Sequence, residues 1–279
     1  MATVAARLDG LAGARHVSLV ERPSRGTALV TADLRSEVAD QALQTLGALG
    51  VAPDDVALVR LDTIAPGAEA GEVTALVWAD VLGQARARAR ATTRYLVLMA
   101  AAGVIAGLAV INDNTTLIVG AMALSPDLLP VTAACTGIVF RRRRLFVRGL
   151  AALLVGLFVT GALATIVASL FDAFGILPAG FSLREFSLAQ THVNATTVLV
   201  ALTAGVAGML AVETRASAAV GVAISVTTIP ATAYLGVALG IVQLHKSLSA
   251  LAVLVVNIAM MLVGGSIALA IQRALSSTD

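Results

Sequence analysis

Six long apolar segments beyond residue 94 constrain the fold of this chain more than any other feature. Each approaches or exceeds the roughly 20 residues that a helix needs to cross a bilayer. Ordinary soluble domains are about a quarter charged, whereas here only 13% of residues are charged and 58% are hydrophobic. The sequence therefore predicts a predominantly α-helical integral membrane protein with spans at Tyr95 to Ile111, Thr116 to Phe140, Leu145 to Phe171, Val193 to Val212, Ala216 to Val242 and Ser247 to Ile271.

The formal net charge of +2 conceals two parts of opposite sign. Residues 1–80 hold six Arg against eleven Asp and Glu, and residues 81–279 hold thirteen Lys and Arg against six acids. So few charges exclude a nucleic-acid partner bound through a broad basic surface. The single cysteine, Cys135, excludes a disulfide scaffold and a thiolate metal cluster.

No residue pattern indicates an enzyme. The three histidines, at 16, 192 and 245, are far apart, and no phosphate-binding glycine loop is present. Glycines instead form G-x-x-x-G pairs at Gly103 and Gly107 and at Gly236 and Gly240, which predict close helix packing. We therefore expect no catalytic residues, no metal site and no cofactor.

The acidic first part predicts a small cytosolic domain at residues 1–66. It opens without a secretory signal, since its first residues lack an apolar core. Two strands, His16 to Val20 and Thr27 to Ala32, precede a helix that begins at Glu37 with Ser36 as its N-cap. A third strand at Val56 to Leu61 completes a ββαβ order, which is typical of an α+β, ferredoxin-like fold.

Basic residues predict the orientation of the membrane part. An amphipathic connecting helix over residues 67–94 ends in four arginines directly before the first span. With the N-terminus inside, cytoplasmic segments hold ten Lys and Arg, against two in outer segments. This positive-inside bias predicts that both termini are cytoplasmic. An outer stretch, Asp172 to His192, is predicted to lie at the interface through Phe174, Phe181, Leu183 and Phe186.

The second and fifth segments share the pattern S-x4-P-x-T-A. Ser125 and Pro130 match Ser225 and Pro230 at an offset of 100, and a Val-Gly pair ending at Gly120 or Gly221 precedes each pattern. Three spans per half make the halves inverted relative to each other. The sequence therefore predicts inverted repeats, residues 95–171 and 193–271, within a membrane domain at 95–271. Proline-broken helices 2 and 5 would then form a midplane binding site.

Prolines at these positions change the hydrogen bonding of the backbone. Because Pro126, Pro130 and Pro230 have no N–H, they free the carbonyls of the residues four places earlier. Polar side chains, water or a translocated ion would satisfy those carbonyls. A simple proline kink packed by small residues is the alternative. The candidate ligands are Ser125, Thr132, Ser225, Thr227, Thr228 and Thr232.

Asp127 lies in the middle of the second segment, where a carboxylate costs about 2.5 kcal/mol or more. It would carry a proton as the neutral acid, or hold a cation when ionised. The alternative is a structural pair with an arginine, but no arginine is predicted at that depth. Asn257, alone in the sixth segment, would line the pathway or hydrogen-bond another helix.

These features favour a transporter or channel-like protein for a small solute or ion, with a cytosolic domain that regulates or assembles it. The alternative is a non-transporting membrane sensor or scaffold whose N-terminal domain binds a small ligand. Many Gly and Ala faces also predict a homo-oligomer within the lipid bilayer.

The motif around the second segment resembles the domain of unknown function 389 family of prokaryotic hydrophobic proteins. Its G-A-M-x-[IL]-S-P-x-x-x-P core stands here at Gly120, Ala121, Met122, Ser125, Pro126 and Pro130. The resemblance covers about residues 95 to 270 and extends to a second block from Ser217 to Gly236. It implies a membrane location and a small N-terminal α+β domain, and it implies no substrate. The composition, with one lysine against eighteen arginines, indicates a bacterium, so we expect a bacterial plasma membrane. Asp127 departs from the family, which usually has an apolar residue there.

Overall fold

A computed structural model describes residues 2–11, 13–22, 27–34, 36–52, 55–57, 85, 91–178, 181, 183, 193–214 and 217–275. The chain divides into two compact units, Met1–Gly83 and Gln84–Asp279. In the described part of each unit, the first has a small sheet and two helices and the second is helical.

The described residues of the first unit form α1 (Ala2–Asp9), β1 (Ala14–Arg22), β2 (Thr27–Leu34) and α2 (Ser36–Ala48). The strands are antiparallel, and the Ser18 and Thr31 hydroxyls meet at 2.6 Å on their exposed side. Both predicted strands and the predicted helix are confirmed. Helix α1, which buries Leu8, was not predicted because so short a helix leaves little periodic pattern.

Three other predictions fall largely outside the described residues. Of the third strand, Val56 and Ala57 have no regular secondary structure, and residues 58–61 are not described. The connecting helix over 67–94 is described only at Ala85 and from residue 91 onward. Of the interfacial stretch after Asp172, residues 179, 180, 182 and 184–192 are likewise not described.

Helices form the second unit. The bounds are α3 (Thr93–Ile111), α4 (Thr115–Leu124), α5 (Leu128–Val139), α6 (Arg143–Ala173), α7 (Ala195–Thr214), α8 (Ser217–Gly240) and α9 (Leu244–Leu275). Among the described residues, α3, α6 and α9 are long and apolar enough to cross a membrane, and the pair α4 and α5, bent by 57°, is a fourth candidate. Large apolar side chains such as Phe158 (76% exposed) face outward, which is compatible with a surrounding bilayer.

Small residues bring two helices, α3 and α8, close to α6. A Cβ at Gly103 of α3 would lie 2.5 Å from the Thr160 carbonyl oxygen, so only glycine allows this approach. From α8, Gly236 packs against Gly161 and Ala164. Thr165 also donates to the Gly236 carbonyl over 3.0 Å. The close packing predicted from both G-x-x-x-G pairs is confirmed.

The predicted break at Pro230 is wrong, since α8 runs continuously from Ser217 to Gly240 with Pro230 inside it. The reason lies in the neighbouring side chains. Asn257 of α9 donates to the Thr227 carbonyl over 2.7 Å, and Thr232 donates to the Thr228 carbonyl over 2.7 Å. Pro230 removes only the helical bond to the Val226 carbonyl, and the two added bonds strengthen the turn before it, so the helix continues through the proline.

Candidate functional site

The apolar helix pair α4 and α5 is interrupted at three residues, Ser125, Pro126 and Asp127. Helix α4 ends at Leu124, Ser125 is extended (φ −73°, ψ 122°), and Asp127 is the N-cap of α5. Pro130 lies in the first turn of α5, where a backbone N–H has no helical acceptor in any case. The break predicted for the second segment is therefore confirmed, and Pro126 rather than Pro130 marks it.

The carbonyls freed by these prolines are paired within the turn itself. The Met122 carbonyl accepts from the Ser125 N–H over 3.3 Å, and the Pro126 carbonyl accepts from the Leu129 N–H over 3.2 Å. Both carbonyls therefore have a backbone donor within the turn, and a side chain, water or ion is not required to satisfy them. The functional interest of the break lies in its side chains.

Asp127 is completely buried at this break. Its Oδ2 accepts a hydrogen bond of 2.6 Å from the Thr228 hydroxyl of α8. Its side chain does not cap α5, because it is directed to the other helix. Within the described residues, Oδ1 has no hydrogen-bond partner, and the carboxylate makes no ion pair with an arginine or lysine.

Two further buried polar side chains extend this arrangement. Asn257, 3% exposed, donates its Nδ2 to the Thr227 carbonyl, next to Thr228 in the chain. Ser225 is fully buried and lies three residues before Thr228, on the same face of α8. Among the residues that the structure describes, neither Asn257 Oδ1 nor Ser225 Oγ has a partner. We call Asp127, Ser225, Thr227, Thr228 and Asn257 the Asp127 cluster.

The remaining candidates from the sequence have local partners. The hydroxyls of Thr132, Thr227 and Thr232 each donate to a carbonyl three or four residues earlier in their own helices. The Ser125 hydroxyl lies 3.4 Å from the Met99 sulfur of α3. At Gly120 an added Cβ would meet nothing within 4 Å, and the surroundings of Gly221 lie outside the described side chains.

No sequence pattern indicated that α3 and α6 pack around this region. Met99 is fully buried, and its carbonyl accepts from the Thr160 hydroxyl of α6 over 3.0 Å. Tyr95 of α3 similarly donates to the Ala152 carbonyl over 3.2 Å. Thr160 could have been identified from the sequence as a hydroxyl in the middle of an apolar segment. Met99 could not, because it is one apolar residue among many.

Comparison with known proteins places these residues in one family region. Residues 122–263 match a family described as "Domain of unknown function (DUF389)". This range is just over half of the chain, and it includes every residue of the Asp127 cluster. No curated protein and no solved structure matches the chain.

Proposed function

Because the chain belongs to the domain of unknown function 389 family, whose name specifies no activity, we propose its function from the site itself. The protein is a membrane transporter or channel-like protein for a small solute or ion. Its site lies at the α4–α5 break, where Asp127 bonds to Thr228 of α8 and Asn257 of α9 bonds to the adjacent Thr227.

The observation that carries this proposal is the buried Asp127 carboxylate with one oxygen unpartnered among the described residues. A carboxylate removed from water loses several kcal/mol of solvation unless charge and hydrogen bonds replace it. The Thr228 hydroxyl, together with the nearby Ser125 hydroxyl, replaces only part of that solvation. Ionisable groups inside membrane segments that lack a structural partner characteristically mark pathways of ions, protons or substrates.

We propose six spans in two inverted repeats, although only one repeat contains a broken helix. The packing of the halves supports this proposal. In the first half Gly103 of α3 lies against Thr160 of α6, and in the second half Gly205 of α7 lies against Met261 and Gly265 of α9. The equivalent glycines are 102 residues apart, close to the offset of 100 between the serine and proline patterns.

The placement of this body in the cell is part of the same proposal. The inner, plasma membrane of a bacterium, with both termini cytoplasmic, agrees with the ten-to-two distribution of basic residues. The unit Met1–Gly83 would regulate or assemble the membrane part. Homo-oligomers remain the expected state, because small residues allow close packing between helices.

Flux from proteoliposomes tests the proposal. The full chain would be reconstituted and supplied with a panel of labelled inorganic ions, amino acids and organic acids. Asp127→Asn should abolish the flux, whereas Asp172→Asn, a change at an exposed carboxylate at the end of α6, should retain it. If wild-type vesicles move nothing in the panel, and Asp127→Asn alters no ligand-induced shift in melting temperature, the protein is a sensor or scaffold instead.

A further inference from the structure

We propose that the Asp127 cluster binds a single monovalent alkali cation, coordinated by Asp127 Oδ1, Asn257 Oδ1 and Ser225 Oγ. The inference rests on the proposed transport site and specifies the ion that this site takes. Its evidence is the set of three buried oxygens, which have no hydrogen-bond partner among the described residues.

The three atoms belong to one neighbourhood although they come from different helices. Thr228 joins Asp127 to α8 through its 2.6 Å hydrogen bond, and the adjacent Thr227 joins Asn257 to α8 through its 2.7 Å bond. Ser225 lies one turn before Thr228. Ser225 therefore belongs to one turn of α8, and hydrogen bonds to that same turn hold the side chains of Asp127 and Asn257.

The donor types select a hard cation. Carboxylate, amide and hydroxyl oxygens are ligands of alkali and alkaline-earth ions, whereas soft transition metals prefer sulfur and imidazole nitrogen. Pro230 has no N–H for the Val226 carbonyl, so the same turn carries one more oxygen outside the usual helical hydrogen bonding.

Charge decides between monovalent and divalent ions. The cluster contains one carboxylate, and the described residues include no group of three or more His, Cys, Asp and Glu able to hold a metal. In a buried site, one negative charge balances one positive charge, and a divalent ion would leave an uncompensated charge at high cost.

A proton on Asp127 also balances the charge, but it explains less. As the neutral acid, Asp127 would donate to at most one of Asn257 Oδ1 and Ser225 Oγ and would leave the other buried without a partner in the part of the chain described. Each such atom costs about 1–3 kcal/mol. A cation satisfies all three oxygens at once, which favours it over the proton.

Sodium is the probe for the experiment, which uses the full-length chain in detergent. Melting temperature would be measured in NaCl against choline chloride at equal ionic strength, together with equilibrium binding of radioactive Na⁺. We expect Na⁺ to raise the melting temperature, since a ligand of the folded state stabilises it. Asp127→Asn should abolish binding, and Ser225→Ala should weaken it by about tenfold or more, a factor typical of one lost ligand contact.

Ser225→Ala keeps the test valid if Asp127→Asn fails to fold. Because the Ser225 hydroxyl has no partner among the described residues, its removal should leave the melting temperature in choline unchanged or higher. The matched control is Thr136→Val, which removes another buried hydroxyl, bonded within α5 to the Thr132 carbonyl. This control should lower stability and leave Na⁺ affinity unchanged.

The outcomes separate this inference from the proposed transport function. Flux without any Na⁺ binding or Na⁺-dependent stabilisation, at concentrations up to molar, would overturn the cation site and leave transport standing. Equal Na⁺ affinity in wild type and Ser225→Ala would also overturn it. Specific Na⁺ binding without flux of any tested solute would support the cation site and overturn transport.

Discussion

The Thr228 hydroxyl donates a 2.6 Å hydrogen bond to the Asp127 carboxylate, and thereby joins α8 to the interruption between α4 and α5. The two residues are 101 positions apart in the chain, and both are fully buried. Thr228 lies two residues before Pro230, the proline that repeats Pro130 in sequence. A single polar contact therefore connects the two regions that the repeated pattern marks.

Thr228→Val should lower the free energy of unfolding by about 1–3 kcal/mol, because it removes the donor and leaves the buried Asp127 carboxylate less satisfied. Thermal melting of the purified protein measures this. Thr203→Val is the control, since the exposed Thr203 hydroxyl bonds only to carbonyls of its own helix. Equal melting temperatures for the two variants would contradict the contact.

Gly103→Ala should destabilise the second unit by about 1–3 kcal/mol, because the new Cβ would lie 2.5 Å from the Thr160 carbonyl oxygen and force α3 and α6 apart. Gly120→Ala is a matched change at a helical glycine with nothing within 4 Å of the added Cβ. It should stabilise by about 0.5–1 kcal/mol, since alanine favours helix. The comparison fails if both variants shift the melting temperature in the same direction.

Asn257→Leu should loosen α8 around Pro230, because the Thr227 carbonyl loses its donor in the turn before the proline. Hydrogen exchange monitored by mass spectrometry should show faster exchange in α8 peptides than in the wild type. Ser249→Ala, which removes a hydroxyl bonded within α9 to the His245 carbonyl, should leave α8 exchange unchanged. Unaltered exchange in Asn257→Leu would show that α8 does not depend on this bond.

Asn257→Asp should change the preferred ion from Na⁺ to Ca²⁺, because two carboxylates would then balance two positive charges. The double variant Asp127→Asn with Asn257→Asp restores one negative charge and should return the preference to Na⁺. Thermal shifts in NaCl and CaCl₂ at matched ionic strength measure both effects. Stabilisation of the wild type by Ca²⁺ as strong as that by Na⁺ would contradict the charge argument.

The proposed six-span topology predicts opposite exposure of two loops. In a Cys135→Ala background, a cysteine at Arg142 should react with an impermeant maleimide only after the cells are opened. A cysteine at Lys246, in the first turn of α9, should react in intact spheroplasts. Wild-type Cys135 is fully buried and should stay unlabelled in the folded protein. Labelling of both positions from one side would exclude the inverted arrangement.

Local rules explain which parts of this fold were predictable from sequence. Strands β1 and β2 were predicted from two β-like runs that turn-forming residues separate in the sequence. The interruption at Ser125 and Pro126 was predicted because a proline cannot continue α4. Pro230 likewise leaves the Val226 carbonyl without its N–H, yet α8 continues, and Asn257 and Thr232 add hydrogen bonds to the two carbonyls that follow. A prediction that considers only a proline and the carbonyl four residues before it cannot include Asn257, which lies thirty residues after Thr227 in the chain.

The candidate site was likewise only partly predictable from the sequence. The sequence by itself determined that the chain is apolar and helical beyond residue 94, and that Asp127 stands out because a carboxylate in such a segment is costly. Only the tertiary structure decided that Thr228, rather than an arginine, pairs with it, and that Ser225 and Asn257 are the companions whose oxygens stay unpartnered among the described residues. Hydrophobicity and proline geometry act along the chain, whereas the partner of a buried polar group is set by which helices pack together.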